Sequence, residues 1–284
     1  MFIDVLLEAL IDTLKTVPFL FLAYLLMEWL ENRAEEKSVE AVHKAGPFAP
    51  VAGGLLGMIP QCGFSAAVSN LYASGIVSAG TLLAVFLSTS DEMLPILISR
   101  RTEAGFIFKV LGYKCAAGII VGLLTDLVLR RLGRKSGKTI EAICEQEGCQ
   151  CEDGILKSAL IHTLKITLFI FITSLIVGFA VEAVGTEQLE HFILNKPFLG
   201  EILAGIVGLI PNCAASVVLT DLYLKGGMSF GAMMSGLLCA SGVGLLVLFR
   251  INRKLKENLR ILLLLYVSGV LFGALAGLIF NPSA

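Results

Sequence analysis

Two short runs carry the most reactive and most coordinating groups in this chain: Pro60-Gln61-Cys62-Gly63-Phe64-Ser65 and Pro211-Asn212-Cys213-Ala214-Ala215-Ser216. Each sets a thiol, a side-chain amide, a hydroxyl and a helix-breaking proline side by side in an otherwise apolar stretch. Thiolates suit thiophilic ions such as zinc, copper(I) or trivalent arsenic, whereas Gln61, Asn212 and Ser65 suit harder ones. A proline at a bend frees backbone carbonyls that can hold a cation, and the helix start beyond it offers unpaired N–H groups to an anion. One cysteine in such a place is more simply a small packing residue. A matched pair, each beside an amide and a proline, points to a binding site.

Asp91 and Glu92 form the second constellation. They follow Ser88-Thr89-Ser90 at the middle of an apolar run over 81–99, where each charge costs about 2.5–3.5 kcal/mol on insertion scales. On an unbroken helix the two would point about 100° apart, so a shared ligand requires a broken helix. One carboxylate could bind a cation or carry a proton; the pair could also cap a helix break or meet Lys15, Lys165 or Lys114. Further on, Gly242 and Val243 stand where the acids stood, and only Ser90 persists, as Ser241. Asp12 with Lys15, and His162 with Lys165, lie three residues apart on one helical face, as counter-ions, a proton relay or interfacial residues snorkelling outward. Cys144, Cys149 and Cys151 supply three thiols in an acidic stretch, as a soft-metal trap or simply an acidic linker. They lack the C-x2-C spacing of a zinc site.

These groups sit in a chain of 284 residues that is 56% hydrophobic and 16% charged, against roughly 25% charged in an average soluble domain. That composition implies an integral membrane protein. The net charge of −1 and the lack of a Gly-rich phosphate loop give no sign of a nucleic-acid partner. The start lacks a basic n-region and a cleavage site, so no removable signal peptide is expected. Seven cysteines, several in apolar runs, do not form a secreted disulfide framework. Apolar runs predict membrane helices over 5–30, 81–99, 106–129, 228–248 and 259–280, with a solvated segment over 31–44.

The chain says nearly everything twice. Gly57, Pro60, Cys62, Ser65, Leu71, Tyr72 and Gly75 return as Gly208, Pro211, Cys213, Ser216, Leu222, Tyr223 and Gly226, a shift of 151 positions, and Asn70 meets Asp221. The run 9–15, ALIDTLK, returns as 159–165, ALIHTLK. The expected organisation is a first membrane repeat over 1–130, a Cys-rich acidic linker over 131–154 and a second repeat over 155–284. If the elements at 54–75 and 205–226 each crossed the bilayer, the repeats would be parallel. If each dips in and returns, the repeats are inverted. The inverted arrangement gathers more of the Lys and Arg residues on one face, through 31–44, 130–157 and 250–260, as the positive-inside rule favours. Non-helical backbone at membrane depth also survives where it lines a cavity. The fold expected is all-α, with two inverted repeats, each of three transmembrane helices plus a re-entrant or broken-helix hairpin. Both termini then lie outside and the linker is cytoplasmic and reduced.

Pro60–Ser65, Ser88-Thr89-Ser90-Asp91-Glu92-Met93-Leu94-Pro95 and Pro211–Ser216 resemble the family of ten-transmembrane heavy-metal exporters. That family is related by name to the ArsP permeases, whose members are labelled manganese or arsenic efflux transporters. The resemblance covers essentially the whole chain, and counting each hairpin as two half-helices gives the family's ten segments. It implies export of a heavy-metal or metalloid species from the cell, with a metal or metalloid substrate, a coupling ion and the lipid bilayer as partners, and room for a homodimer. With no nucleotide-binding motif, coupling to the proton or ion gradient is reached by elimination. No enzyme activity and no cofactor are expected. The substrate path would use Pro60, Gln61, Cys62, Ser65, Ser90, Pro211, Asn212, Cys213, Ser216 and Ser241, with Asp91, Glu92, Asp12, Lys15, His162 and Lys165 holding charge. Two other readings fit the same residues: a thiol–disulfide electron carrier cycling Cys62 and Cys213, and a permease for an organic or organoarsenical anion held by helix ends.

Overall fold

The computed structural model describes residues 48–59, 62–90, 93–131, 199–211 and 213–280, with most of 6–25 and 160–176; for Cys62, Cys213 and Ala214 it describes the backbone alone. The regular elements among these residues are helices. In the first repeat they are α1 (Ala49–Gly57), α2 (Cys62–Ala73), α3 (Ala79–Ser88), α4 (Met93–Ser99) and α5 (Ala104–Arg131). In the second they are α6 (Leu199–Gly208), α7 (Cys213–Leu224), α8 (Phe230–Cys239), α9 (Gly244–Ile251) and α10 (Leu255–Phe280). Helical segments within 6–25 and 160–176 precede each set. The shift of 151 positions carries α2 onto α7 and α3 onto α8 end for end, and the other three pairs to within two residues.

Local chemistry explains the matched boundaries. Ser78 and Ser229 cap α3 and α8, their side chains accepting from the Thr81 and Ala232 amides at 3.1 Å each, which satisfies one orphan donor per helix. Gly75 and Gly226, at φ 79° and 78°, end the turn after α2 and α7 in the left-handed region where a Cβ is penalised. The next amides, Ile76 N and Gly227 N, donate back to Leu71 O and Leu222 O at 2.9 Å.

Two expected spans are not continuous helices. α3 ends at Ser88, Thr89 has ψ 130°, and α4 starts at Met93. α8 ends at Cys239, Ala240 has ψ 92°, Gly242 has φ 55°, and α9 starts at Gly244. At the first break, Ser88 Oγ donates to Ala84 O at 2.8 Å and Thr89 Oγ1 to Val85 O at 2.7 Å. Such bonds offer the helix's own carbonyls an alternative partner. Pro95 then falls in the first turn of α4, where its missing N–H is harmless. The stretch 54–75 is likewise two pieces. α1 has 9 residues and α2 has 12, about 14 and 18 Å long, so neither spans a hydrocarbon core of about 30 Å. By contrast α5, with 28 residues, and α10, with 26, reach about 40 Å.

Within each repeat the broken helix is sandwiched. α3 packs between α1 and α5, and α8 between α6 and α10. Without a hydrophobic force between helices in lipid, close packing of small residues holds such contacts together. A Cβ on Gly208 would lie 2.1 Å from Gly236 O, and one on Gly80 would lie 2.2 Å from Gly122 O. The carboxylate beside each broken helix, however, comes from a different place. Asp126 of α5 accepts from Gly80 N at 2.9 Å and Ser78 Oγ at 2.6 Å. In the second repeat Gly277 replaces Asp126 and Glu201 replaces Pro50, and Glu201 Oε1 lies 2.8 Å from a Cβ built on Gly231.

Between repeats, α2 packs on α9, α7 on α4, and α3 on α8. Each pairing maps onto its own counterpart under the repeat. One core joins Met93, Leu97 and Val110 to Leu219, Met233 and Leu237; another joins Phe86 and Leu87 to Leu238, Leu245 and Leu265. Outward, α10 exposes Leu259, Leu263, Val267, Leu271 and Leu278 at helical spacing, an apolar stripe suited to acyl chains. Among the described residues, four stretches, Ala79–Ser99, Ala104–Arg131, Phe230–Ile251 and Leu255–Phe280, are long and apolar enough to cross a membrane.

These contacts predict an asymmetric response to added methyl groups. Gly208→Val should destabilise the purified protein by roughly 1–3 kcal/mol through overpacking, seen as a lower melting temperature in detergent. Gly112→Ala, where a Cβ meets nothing within 4 Å, should melt at or slightly above wild type.

Candidate functional site

The half-helices α2 and α7 start at Cys62 and Cys213, and each start leaves N–H groups without helical partners. One turn in, Ser65 is fully buried. Ser69 Oγ donates to Ser65 O at 2.8 Å and to Gly244 O, in the other repeat, at 2.8 Å. Gly244 has no room for a side chain, since its Cβ would stand 2.8 Å from Ser65 Cβ. The first turns of α2 therefore rest on the residues that follow the α8–α9 break. Ser241 lies in that break, is buried, and accepts from Gly244 N at 3.3 Å. Ser65 and Ser241 thus share one neighbourhood.

The repeat sets up the same arrangement on the other side. Thr220 Oγ1 donates to Ser216 O at 2.7 Å, as Ser69 does to Ser65, and both Ser216 and Thr220 are buried. α7 packs on α4, which begins directly after the first break. Ser90 in that break is buried, its hydroxyl donating to Ser88 O at 3.1 Å. Two half-helix N-termini and two helix breaks are therefore paired across the repeats, with α3 and α8 touching between them. Pro211 is half-buried just before α7.

Of the other residues singled out in the sequence, Lys165 is exposed. Pro60, Gln61, Asp91, Glu92, Asn212, Asp12, Lys15, His162, Cys144, Cys149 and Cys151 lie outside the described residues, as do the side chains of Cys62 and Cys213. Among the described residues no three of His, Cys, Asp and Glu gather as a metal site would require. Residues that motif reading passed over include Ser69 and Thr220, and Asn70 enters it only as the counterpart of Asp221. Asn70 is buried with its Nδ2 unpartnered among the described atoms. The available signal was their polarity on helix faces otherwise given to the core.

At the far ends of the cross-repeat contacts the two sides differ. Arg100 Nη2, just past α4, bonds Asp221 Oδ1 of α7 at 2.5 Å, and Lys225 Nζ bonds Asp221 Oδ2 at 2.8 Å. The counterpart of Asp221 is the neutral Asn70. Tyr72 of α2 instead donates to Glu257 Oε1 of α10 at 2.9 Å. Its counterpart Tyr223 stacks on Phe106, the residue equivalent to Glu257, with ring centroids 5.8 Å apart. Each end is thus tied across the repeats by a different chemistry.

Duplicated half-helices seated on broken helices, within a lipid-facing helical shell, define a multi-pass membrane protein built from two homologous repeats. The chain matches the sequence profile of the family described as "Putative, 10TM heavy-metal exporter" over residues 1–182 and 150–282, and it belongs to that family. The two matched segments overlap across 150–182, which includes the repeated run 159–165. No curated protein and no solved structure matches it.

The cross-repeat seat is testable on its own. Ser69→Ala removes the bond to Gly244 O and should cost about 1 kcal/mol, whereas Asp221→Ala, losing an exposed ion pair, should cost at most about 1 kcal/mol and become neutral in high salt. Thermal melts at low and high salt separate the two.

Proposed function

We propose that this protein is a secondary exporter that carries a heavy-metal or metalloid species, such as manganese or an arsenic compound, outward across the cell membrane. It does so by coupling to the proton or another ion gradient, and its cargo leaves chemically unchanged. The observation that carries this reading is the reciprocal seating of half-helices on breaks: α2 on α9 and α7 on α4. Interrupted helices paired near the middle of a bilayer are the usual construction of a transporter's binding site, because their free N–H and C=O groups can face cargo. Membership of a heavy-metal exporter family supplies the cargo class.

In this reading the repeats are inverted, and α1–α2 and α6–α7 are re-entrant hairpins. Each repeat then has five segments: the N-terminal helix, two half-helices, one broken helix and one long helix. Cys62 and Cys213, beginning the half-helices, supply soft ligands, with Gln61, Asn212, Ser65 and Ser216 beside them. Asp91 and Glu92, following the break in α3, supply the charge that a cation requires, and Ser90 and Ser241 line the breaks. The linker 131–154 is cytoplasmic and offers Cys144, Cys149 and Cys151 to incoming metal. Under inversion, the Arg100–Asp221 and Tyr72–Glu257 ties fall at opposite faces. Opening one while the other holds gives alternating access.

The test uses proteoliposomes loaded with manganese, zinc, arsenite or methylarsenite under an imposed pH gradient. Asp91→Asn and Glu92→Gln should each lower flux of a cationic cargo roughly ten- to hundredfold, as expected from losing one charged contact of about 1.5–3 kcal/mol. Unchanged flux in both variants removes the acidic pair from the path. Cys62→Ser and Cys213→Ser should abolish the advantage of thiophilic over harder ions. If they spare it, the tips act through backbone groups alone. A Cys62–Cys213 disulfide that cycles in cells, trapped by thiol alkylation, would replace transport with electron transfer.

A further inference from the structure

We infer that Lys114 is the resident counter-cation of the transport path: it holds a positive charge where the two repeats cross and so limits how tightly the path retains its cargo. This deepens the exporter reading above and rests on it. Lys114 lies in the middle of α5 and is only 1% exposed. Its ammonium donates to Leu237 O at 2.6 Å, a carbonyl of the other repeat two residues before α8 ends. A charge this deep in an apolar assembly carries a large desolvation cost, so mere packing does not account for it.

The repeat shows that the scaffold does not need it. The position equivalent to Lys114 is Leu265, fully buried in the shared core of α10. Leucine therefore meets every packing demand of this site in the second repeat. The same comparison holds for the acids, whose counterparts are Gly242 and Val243. All three charges belong to the first repeat and none to the second. One path shared by the two repeats needs each charge only once.

Helix register puts Lys114 at the right level. α5 runs antiparallel to α3, with Gly122 against Gly80 and Gly118 against Ala84 and Ser88. One further turn along α5 is Lys114, level with the end of α3, after which the chain continues through Ser90 to Asp91 and Glu92. Its reach to Leu237 O brings it beside the second break as well. A single ammonium thus lies level with the end of α3 and bonds a carbonyl in the last turn of α8. In the exporter reading, where Asp91 and Glu92 supply the path's negative charge, the Lys114 ammonium offsets part of it. An entering divalent cation meets a like charge that weakens its hold and hastens its release.

The experiment compares full-length wild type with Lys114→Leu, Lys114→Arg and Lys114→Gln. Leucine is chosen because its counterpart position already accommodates it. Manganese and zinc binding is measured by calorimetry on purified protein, and efflux from proteoliposomes at saturating metal. Lys114→Leu and Lys114→Gln should tighten binding roughly tenfold, the order expected on removing one like charge in a partly polar interior, and should slow efflux. Lys114→Arg should stay near wild type in both. Melting temperature adds a readout that needs no cargo: the loss in Lys114→Leu should be partly recovered by adding Asp91→Asn or Glu92→Gln. Wild-type transport with unchanged affinity in Lys114→Leu overturns the counter-cation role, as does weakened binding in that variant. Loss of phosphate or arsenate binding instead would make Lys114 an anion ligand and overturn it too. Wild-type protein that neither binds nor moves any of the metals overturns the exporter reading itself.

Discussion

A backbone amide or carbonyl that loses its helical partner inside a bilayer finds no water there, so another part of the protein must meet it. The whole arrangement of this chain answers that demand. α3 and α8, of 10 residues each, and α2 and α7, of 12 each, are too short to cross a hydrocarbon core alone, so their ends leave backbone groups without helical partners at four places. Hydroxyls add second bonds near the end of α3, as Ser88 and Thr89 do on Ala84 O and Val85 O. Across the repeats, Lys114 reaches Leu237 O in the last turn of α8, and Ser69 reaches Gly244 O at the start of α9. Because each break is covered by a half-helix of the opposite repeat, neither repeat forms a finished interior by itself. The shared cores around Met93 with Leu219 and Phe86 with Leu245 follow from the same interlocking.

Backbone and charge have diverged to different degrees between the repeats. Where two main chains nearly touch, as at Gly208 against Gly236 O, any side chain would push the helices apart, so small residues recur. Polar groups acting on a local demand are freer. The carboxylate beside α3 comes from Asp126 on α5, while the one beside α8 comes from Glu201 on α6. Both meet the positive end of a helix, and neither depends on which neighbour supplies them. The ties at the far ends show the same freedom, with a Tyr–Glu hydrogen bond on one side and a Tyr–Phe stack on the other. The acids Asp91 and Glu92 and Lys114 likewise occur in one repeat only, their counterparts being Gly242, Val243 and Leu265.

Much of this was legible in the residues alone. Pro60, Cys62, Tyr72 and Gly75 returning as Pro211, Cys213, Tyr223 and Gly226 announce the duplication, because helix starts, turns and caps are local and carry their own residue types. The long helices α5 and α10 follow from sustained apolar runs. Serine, threonine and glycine inside an apolar run do not alter its hydrophobicity enough to mark an end, so a break within 81–99 is raised only through Asp91 and Glu92, and one within 228–248 is not expected. The structure places the ends at Ser88 and at Cys239, ahead of the positive φ of Gly242.

What the sequence determined by itself, then, was the class of protein, the twofold repetition, the half-helix starts and the list of polar residues that a bilayer would not tolerate without cause. These rest on composition, period and local propensity, which act over a few neighbouring residues. What only the tertiary structure decided was which half-helix sits on which break, and that Lys114 reaches the other repeat at Leu237 O. Those choices depend on surfaces far apart in the chain, as Ser69 is from Gly244. They are set by which close packing leaves few buried polar groups unmet, a condition that no local stretch of sequence expresses.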